Sequence, residues 1–297
     1  VSSAASDVYK RQVKTSIPKH VLTVLTGVAG SGKSTLVKAG FENNDHTIFI
    51  DQKAVQGSNR SNLLTYLGVF DSVRSFFSKE TGLNKAMFSY NSKGACPNCG
   101  GKGYIKTELA FMGDFSQTCE VCHGKRYKQE VLDATIDGYS IADVLDLTVD
   151  EGIIFFDKKN DIKSKLQSVS KTGLNYMSLG QPLSTLSGGE IQRVKLAQHL
   201  DEEIKDSIFI FDEPTTGLHE SDIPILMECF DDLIDQNNTV ILIEHNLSIM
   251  CEADWIIDVG PGPGLDGGKV QFSGTPKNFI DSSETLTSKH LKRYINQ

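Results

Sequence analysis

Apolar and polar positions along this chain fall into blocks that switch between two periods. Val21 to Thr26, Thr47 to Ile50, Ser207 to Phe211 and Thr239 to Ile243 are short apolar runs with little alternation, which predicts strands buried on both faces. Such strands need helices on either side, so the expected class is α/β with a mainly parallel sheet. Residues 131 to 176 are helical in period, most clearly I-A-D-V-L-D-L-T-V-D-E-G-I-I-F-F, and the polar stretch after about residue 275 predicts a short terminal helix.

Between residues 85 and 130 the texture changes to Gly, Lys and Cys, with no apolar period long enough for a core. That segment is expected to be held by something other than hydrophobic burial. The chain then divides into a core in two parts, 13–60 and 177–297, around an insertion at 61–176 that carries the module at 85–130. Residues 1–12, V-S-S-A-A-S-D-V-Y-K-R-Q, have no initiator Met and no periodicity and are read as foreign read-through or a disordered tail.

Composition changes this picture in four ways. With 39% hydrophobic residues in 297, the chain can bury one large core or two smaller ones. A formal net charge of −8 means that any nucleic-acid contact must come from a local basic surface. No apolar run is long enough for a transmembrane helix and no secretory pattern is present, so the expectation is a cytoplasmic protein without a membrane partner. Of six cysteines, four form two C-x-x-C pairs, which in a reducing compartment favours metal over disulfides. Cys229 and Cys251 stand alone and are expected to be buried small hydrophobes.

Residues 27 to 34, G-V-A-G-S-G-K-S, follow an apolar strand directly, which is the P-loop pattern in its strand-to-helix setting. Glycines let backbone N–H groups converge on phosphate oxygens, and the following helix adds its positive end. Gly27, Gly30, Ser31, Gly32, Lys33, Ser34 and Thr35 are therefore candidate nucleotide-binding residues, with Lys33 reaching the β/γ-phosphates and Ser34 giving its hydroxyl to Mg²⁺. S-I-F-I-F-D-E at 207–213 ends a strand in two carboxylates. Asp212 is the candidate for holding Mg²⁺ through water, and Glu213 for polarising the attacking water. L-S-G-G-E at 186–190 opens a helix, marked by Ile191, Val194, Ala197 and Leu200; Ser187 and Glu190 form a capping box, while Gly188 and Gly189 leave its first N–H groups open to an anion.

Cys96, Cys99, Cys119 and Cys122 form C-x-x-C, nineteen residues, C-x-x-C, a spacing suited to a tetrahedral four-thiolate Zn²⁺ site that would supply the module's folding energy. Residues 93–128 hold six Lys or Arg against three Asp or Glu. A four-thiolate zinc centre contributes about −2, which leaves the module mildly basic and compatible with phosphate contact.

L-S-G-G-E between a P-loop and I-F-I-F-D-E-P-T-T-G-L-H resembles the ABC ATPase family. The resemblance implies ATP as substrate, Gln52 as the Q-loop residue and His245, in I-L-I-E-H-N, as the switch histidine. It also implies that Ser187, Gly188 and Gly189 complete the P-loop site of a second ATPase half or a second copy, so the working form is a dimer. The zinc insert narrows this. F-S-Y-N-S-K-G-A-C-P-N-C-G-G-K-G, C-E-V-C-H-G-K-R-Y, L-G-Q-P-L-S-T-L-S-G-G-E-I-Q-R-V-K-L-A and the tail D-W-I-I-D-V-G-P-G-P-G are similar to the second half of the UvrA-like family. That resemblance implies an ATP-hydrolysing subunit on double-stranded DNA, damaged or drug-bound, in nucleotide excision repair, with a UvrB-type repair helicase as partner. Two stretches depart from the family pattern: L-A-F-M-G-D-F-S-Q-T between the cysteine pairs, and K-A-V-Q-G-S-N-R-S-N after Gln52. Both resemble shorter UvrA-like paralogues, some linked to resistance against DNA-binding drugs. The rival reading is an ABC-type motor ATPase of a transport or drug-resistance system, and the zinc insert counts against it.

Overall fold

Each apolar run becomes a strand because both of its faces can be covered. In the computed structural model, which describes residues 14–53, 61–109 and 113–296, these strands are β1 (Leu22–Gly27), β2 (Thr47–Ile50), β3 (Ile208–Asp212) and β4 (Thr239–Ile243). Residues 1–12 and most of the departure after Gln52 lie outside the described residues. Two more strands, β5 (Trp255–Gly260) and β6 (Lys269–Gly274), complete a sheet of order β6-β5-β1-β4-β3-β2. All neighbours pair in parallel except β6, which runs antiparallel along β5.

Successive strand side chains point to opposite faces, and the two faces are buried separately. Leu25, Ile210, Ile241 and Ile257 pack with Val37 and Phe41 of the helix Lys33–Phe41. Phe211, one residue beyond Ile210, lies against Phe230 of the helix Ile223–Asp235, ring centroids 4.8 Å apart. Each such side chain contributes about 1.5–3 kcal/mol on full burial. In sheets covered on both sides, ligands bind beyond the carboxyl ends of the strands, where the loops after β1, β3 and β4 emerge.

The described chain forms two compact units: Val1–Lys53 with Glu202–Gln297, which holds this sheet, and Ala54–Asp201. The L-S-G-G-E helix, Gly188–Leu200, belongs to the second unit, so the boundary falls after Asp201 and not at 176 as the sequence pattern suggested. Its Val194 and Ala197 are fully buried in that unit's core beside Phe77, Phe88 and Phe156. The same core corrects the reading of the cysteine module. Phe88, Tyr90 and Tyr127 are buried in it, with Tyr90 and Tyr127 edge to face at 5.6 Å. Three isolated aromatics leave no period to detect, yet they pin both ends of the module by ordinary apolar packing.

The long helical pattern after residue 140 is two helices, Ile141–Asp146 and Val149–Phe155. Each starts with its own capping box, Ser140 with Asp143 and Thr148 with Glu151, and the second box ends the first helix. Two terminal helices, Pro276–Ser282 and Leu286–Ile295, replace the single one expected. Cys229 is buried as expected, whereas Cys251 is exposed near the end of the short helix Leu247–Glu252. No helix among the described residues is long and apolar enough to cross a membrane.

Candidate functional site

The loop after β1 is shaped by glycine. Gly27 has φ 135°, and a Cβ there would sit 2.0 Å from the carbonyl oxygen of Val259, so no side chain is tolerated at the start of the loop. The helix Lys33–Phe41 begins at Gly32 without any side-chain cap, leaving its first N–H groups available to an anion. The Lys33 ammonium folds back over the loop and donates to the carbonyls of Gly27 at 3.0 Å and Val28 at 3.2 Å. The Ser31 hydroxyl is buried without a protein partner. A loop with open N–H groups, an unpartnered hydroxyl and a cation resting on its own carbonyls fits a nucleotide phosphate chain. Thr35 is exposed in the first turn of the helix.

Ser34 donates its hydroxyl to Asp212 Oδ1 at 3.3 Å, which brings the end of β3 against the P-loop. A cavity of about 230 Å³ opens beside these two residues, bordered by Asp51 and Lys53. One hydroxyl and one carboxylate oxygen side by side are hard oxygen donors of the kind Mg²⁺ takes with nucleotide phosphates. Glu213 follows in a left-handed backbone conformation, φ 50°, its N–H bonded to Ile243 O at 2.9 Å. Gln52 donates its amide to the Glu213 carbonyl at 3.2 Å. The structure thus gathers Lys33, Ser34, Gln52, Asp212 and Glu213 at one end of the sheet. A larger cavity, about 510 Å³, is lined by Ile17, Leu36, Phe41, Ile208 and Ile241 together with polar residues such as His20 and Asp206, and contains none of these groups.

His245 follows β4 with its side chain 68% exposed, and its Nδ1 lies 3.9 Å from Glu244 Oε2. Glu244 itself is buried and receives the N–H groups of Thr215, His245 and Asn246. I-E-H-N alone does not mark it, because its partner Thr215 lies 29 positions away in the chain. Asp258, on β5, is a second omission. Burial pushes its carboxyl above the usual range, while the hydroxyls of Thr285 and Thr287 and the Lys33 charge pull it down. Nothing in D-W-I-I-D-V-G marks which aspartate faces inward.

Ser187 caps its helix through the expected box, accepting from Glu190 N at 3.3 Å while Glu190 Oε2 accepts from Ser187 N at 2.8 Å. Tyr176 donates its hydroxyl to the other Glu190 oxygen at 2.8 Å and fixes the box from outside, a contact with no motif to announce it. Gly188 and Gly189 form the first helical turn.

The four module cysteines converge. Their sulfurs all lie within 4.8 Å of one another, with Cys96 to Cys119 at 4.0 Å and Cys99 to Cys122 at 3.6 Å. Sulfurs at the corners of a regular tetrahedron with zinc–sulfur bonds of about 2.3 Å would be about 3.8 Å apart, so the cage fits that ion. Two turns of the same design build it. Gly100 N bonds to Cys96 O at 2.9 Å and His123 N to Cys119 O at 2.8 Å, while Cys119 N bonds to Gly103 O and Cys96 N to Arg126 O, both at 2.9 Å. Outer donors also reach the sulfurs, Asn98 to Cys119 and the Gly103 N–H to Cys99, each at 3.2 Å. The Asn98 amide holds the Cys119 thiol down at about 6, whereas burial pushes Cys122 up to about 12.

A profile of the family described as ABC transporter matches residues 11–216. UvrABC system protein A of Bacillus subtilis is 43% identical over 322 residues, covering 98% of this chain and 34% of that protein. Its counterpart in Aquifex aeolicus is 42% identical over 316 residues, 96% of this chain and 34% of its own length. The crystal structure of UvrA2 from Deinococcus radiodurans matches with a TM-score of 0.86 at 39% identity, over 95% of this chain and 38% of that one. The chain spans about a third of the length of the curated relatives it matches, 34% in both proteins above. With the profile covering well over half the chain and these relatives covering nearly all of it, the chain belongs to the ABC ATPase family and is a homologue of one segment of the UvrA proteins.

Proposed function

We propose that this chain is one ATPase half of a UvrA-type subunit that clamps duplex DNA, damaged or drug-bound, in nucleotide excision repair. Lys33 and the open N–H groups of the P-loop bind the β- and γ-phosphates of ATP, with Gly27, Gly30, Ser31, Gly32 and Thr35 shaping the cradle. Ser34 and Asp212 hold Mg²⁺, which neutralises developing phosphate charge. Glu213 accepts the proton of the attacking water, while Gln52 and His245 orient the γ-phosphate end. Ser187, Gly188 and Gly189 serve the P-loop of a second ATPase half or copy, so closure on ATP and reopening after hydrolysis are properties of the pair.

Cys96, Cys99, Cys119 and Cys122 hold Zn²⁺ in a structural site, and the mildly basic module around it carries the change in ATPase state to DNA phosphates. Specificity for altered DNA then comes from deformability, since the sequence carries no base-reading motif among the described residues. A UvrB-type helicase takes over the marked site. The observation that carries this reading is the four-sulfur cage, which falls in sequence between a complete P-loop and the L-S-G-G-E motif, in a chain that UvrA proteins match almost end to end.

Fluorescence anisotropy on a labelled duplex, intact and lesion-bearing, tests it with the full protein in ATP, in ADP and without nucleotide. The expected result is DNA affinity that differs between nucleotide states and falls steeply with salt. Affinity independent of nucleotide, and unchanged in Cys119→Ser, would remove the clamp reading.

A further inference from the structure

The end of β4 carries a buried carboxylate for which the roles above have no use. Glu244 is 1% exposed. Its Oε1 accepts the Thr215 N–H at 3.0 Å and also the Thr215 hydroxyl. Its Oε2 accepts the His245 N–H at 2.8 Å and the Asn246 N–H at 3.2 Å. The Glu244 N–H donates to Leu25 O at 3.1 Å, anchoring the residue to β1. Four donors therefore converge on one side chain. A carboxylate meets them with acceptor oxygens on both sides, whereas an amide would turn an NH₂ group toward donors on one side.

The loops joined here are those that carry the proposed base and the proposed switch histidine. Thr215 lies two residues after Glu213, whose strained backbone is tied to Ile243. Asn246 caps the helix Leu247–Glu252 by accepting from Ser248 N at 2.9 Å, so the far side of the bridge is also fixed. None of these bonds involves the P-loop lysine or the Ser34–Asp212 pair. We propose that Glu244 is a positioning residue for ATP hydrolysis: it locks the loop of Glu213 to the loop of His245, so that base and switch residue hold one spacing at the γ-phosphate. The inference rests on the roles assigned to Glu213 and His245 under the proposed function.

The test uses the full protein and four variants, Glu244→Gln, Thr215→Val, Thr215→Ser and the pair Glu244→Gln with Thr215→Val. ATP affinity is read with a fluorescent nucleotide and turnover by phosphate release. Glu244→Gln should lower kcat up to about a hundredfold, the scale of a misplaced reacting group, while ATP affinity stays within about threefold. Thr215→Val, which keeps the N–H and loses the hydroxyl, should lower kcat in the same direction, and Thr215→Ser should restore it. The double variant should be no slower than the slower single variant, because both break one bridge.

Unchanged kcat in Glu244→Gln, strictly multiplicative losses in the pair, or a fall in ATP affinity matching the fall in kcat would each overturn the inference. If Glu244→Gln does not fold, the Thr215→Val and Thr215→Ser comparison decides alone, with failure of serine to restore turnover counting against it. Glu213→Gln and His245→Ala are run alongside. Normal turnover in these two would instead overturn the roles on which the inference depends.

Discussion

Glu213 is held by its backbone before its side chain does anything. A non-glycine residue at φ 50° costs on the order of 1–3 kcal/mol, and bonds from its N–H to Ile243 O and from Gln52 to its carbonyl keep it there. That backbone anchoring predicts a clean separation of binding from chemistry. Glu213→Gln keeps the shape and the anchors, so nucleotide affinity should persist while turnover falls by about 10²–10⁴, the contribution of a positioned base. Normal phosphate release in the paired, full-length protein would show that another group accepts the proton. Lys33→Ala should do the reverse and weaken nucleotide binding itself, measurable by titration with a fluorescent analogue, because the phosphate chain loses its nearest cation. At this scale the sequence was most readable where one contiguous motif sets one geometry, as in G-V-A-G-S-G-K-S. Glu244, Tyr176 and Asp258 went unread because their partners come from distant segments: Thr215 lies 29 positions from Glu244, and Glu190 lies 14 from Tyr176.

The cysteine module and the helices around it show what an element needs in order to be legible. C-x-x-C pairs are local turns, and the matched bonds of Gly100 to Cys96 and His123 to Cys119 follow from that local pattern. The aromatic anchors Phe88, Tyr90 and Tyr127 do not, since their burial is decided by helices elsewhere in the unit. β5 escaped for a related reason: Asp258 interrupts its apolar run W-I-I-D-V-G, so only pairing to β1 reveals it. The division of labour between cage and anchors gives a prediction. Cys119→Ser should abolish zinc retention and loosen residues 96 to 122, while Tyr90, Tyr127 and the sheet unit stay folded. Metal analysis together with hydrogen exchange checks this: zinc at full occupancy in the variant, or exchange spreading through β1 to β4, would show that the cage is not the local source of order.

At the scale of the whole molecule, the decisive feature is that the two elements proposed to bind phosphate belong to different compact units. Lys33 and Ser34 sit in the sheet unit, and Ser187, Gly188 and Gly189 in the other. In ABC ATPases a signature loop completes the P-loop site of another ATPase unit. A solitary copy of this chain should therefore bind ATP and hydrolyse it slowly, and turnover per molecule should climb with protein concentration as association supplies the opposing loop. Ser187 already spends its hydroxyl as an acceptor for Glu190 N, leaving the hydroxyl proton free to face an anion. Ser187→Ala should thus lose that donor and cost about 0.5–2 kcal/mol of helix capping. Ser187→Asp keeps the cap, since Asp is as good an N-cap as Ser, but brings negative charge to the γ-phosphate. If the signature loop acts on nucleotide across the pair, Ser187→Asp should be at least as inactive as Ser187→Ala at full thermal stability, with ATP binding to the P-loop intact in both. Specific ATPase rate measured against concentration, with the oligomeric state followed by light scattering, decides the matter. A high rate that stays flat from nanomolar upward in a monomeric species would mean that each site is self-sufficient.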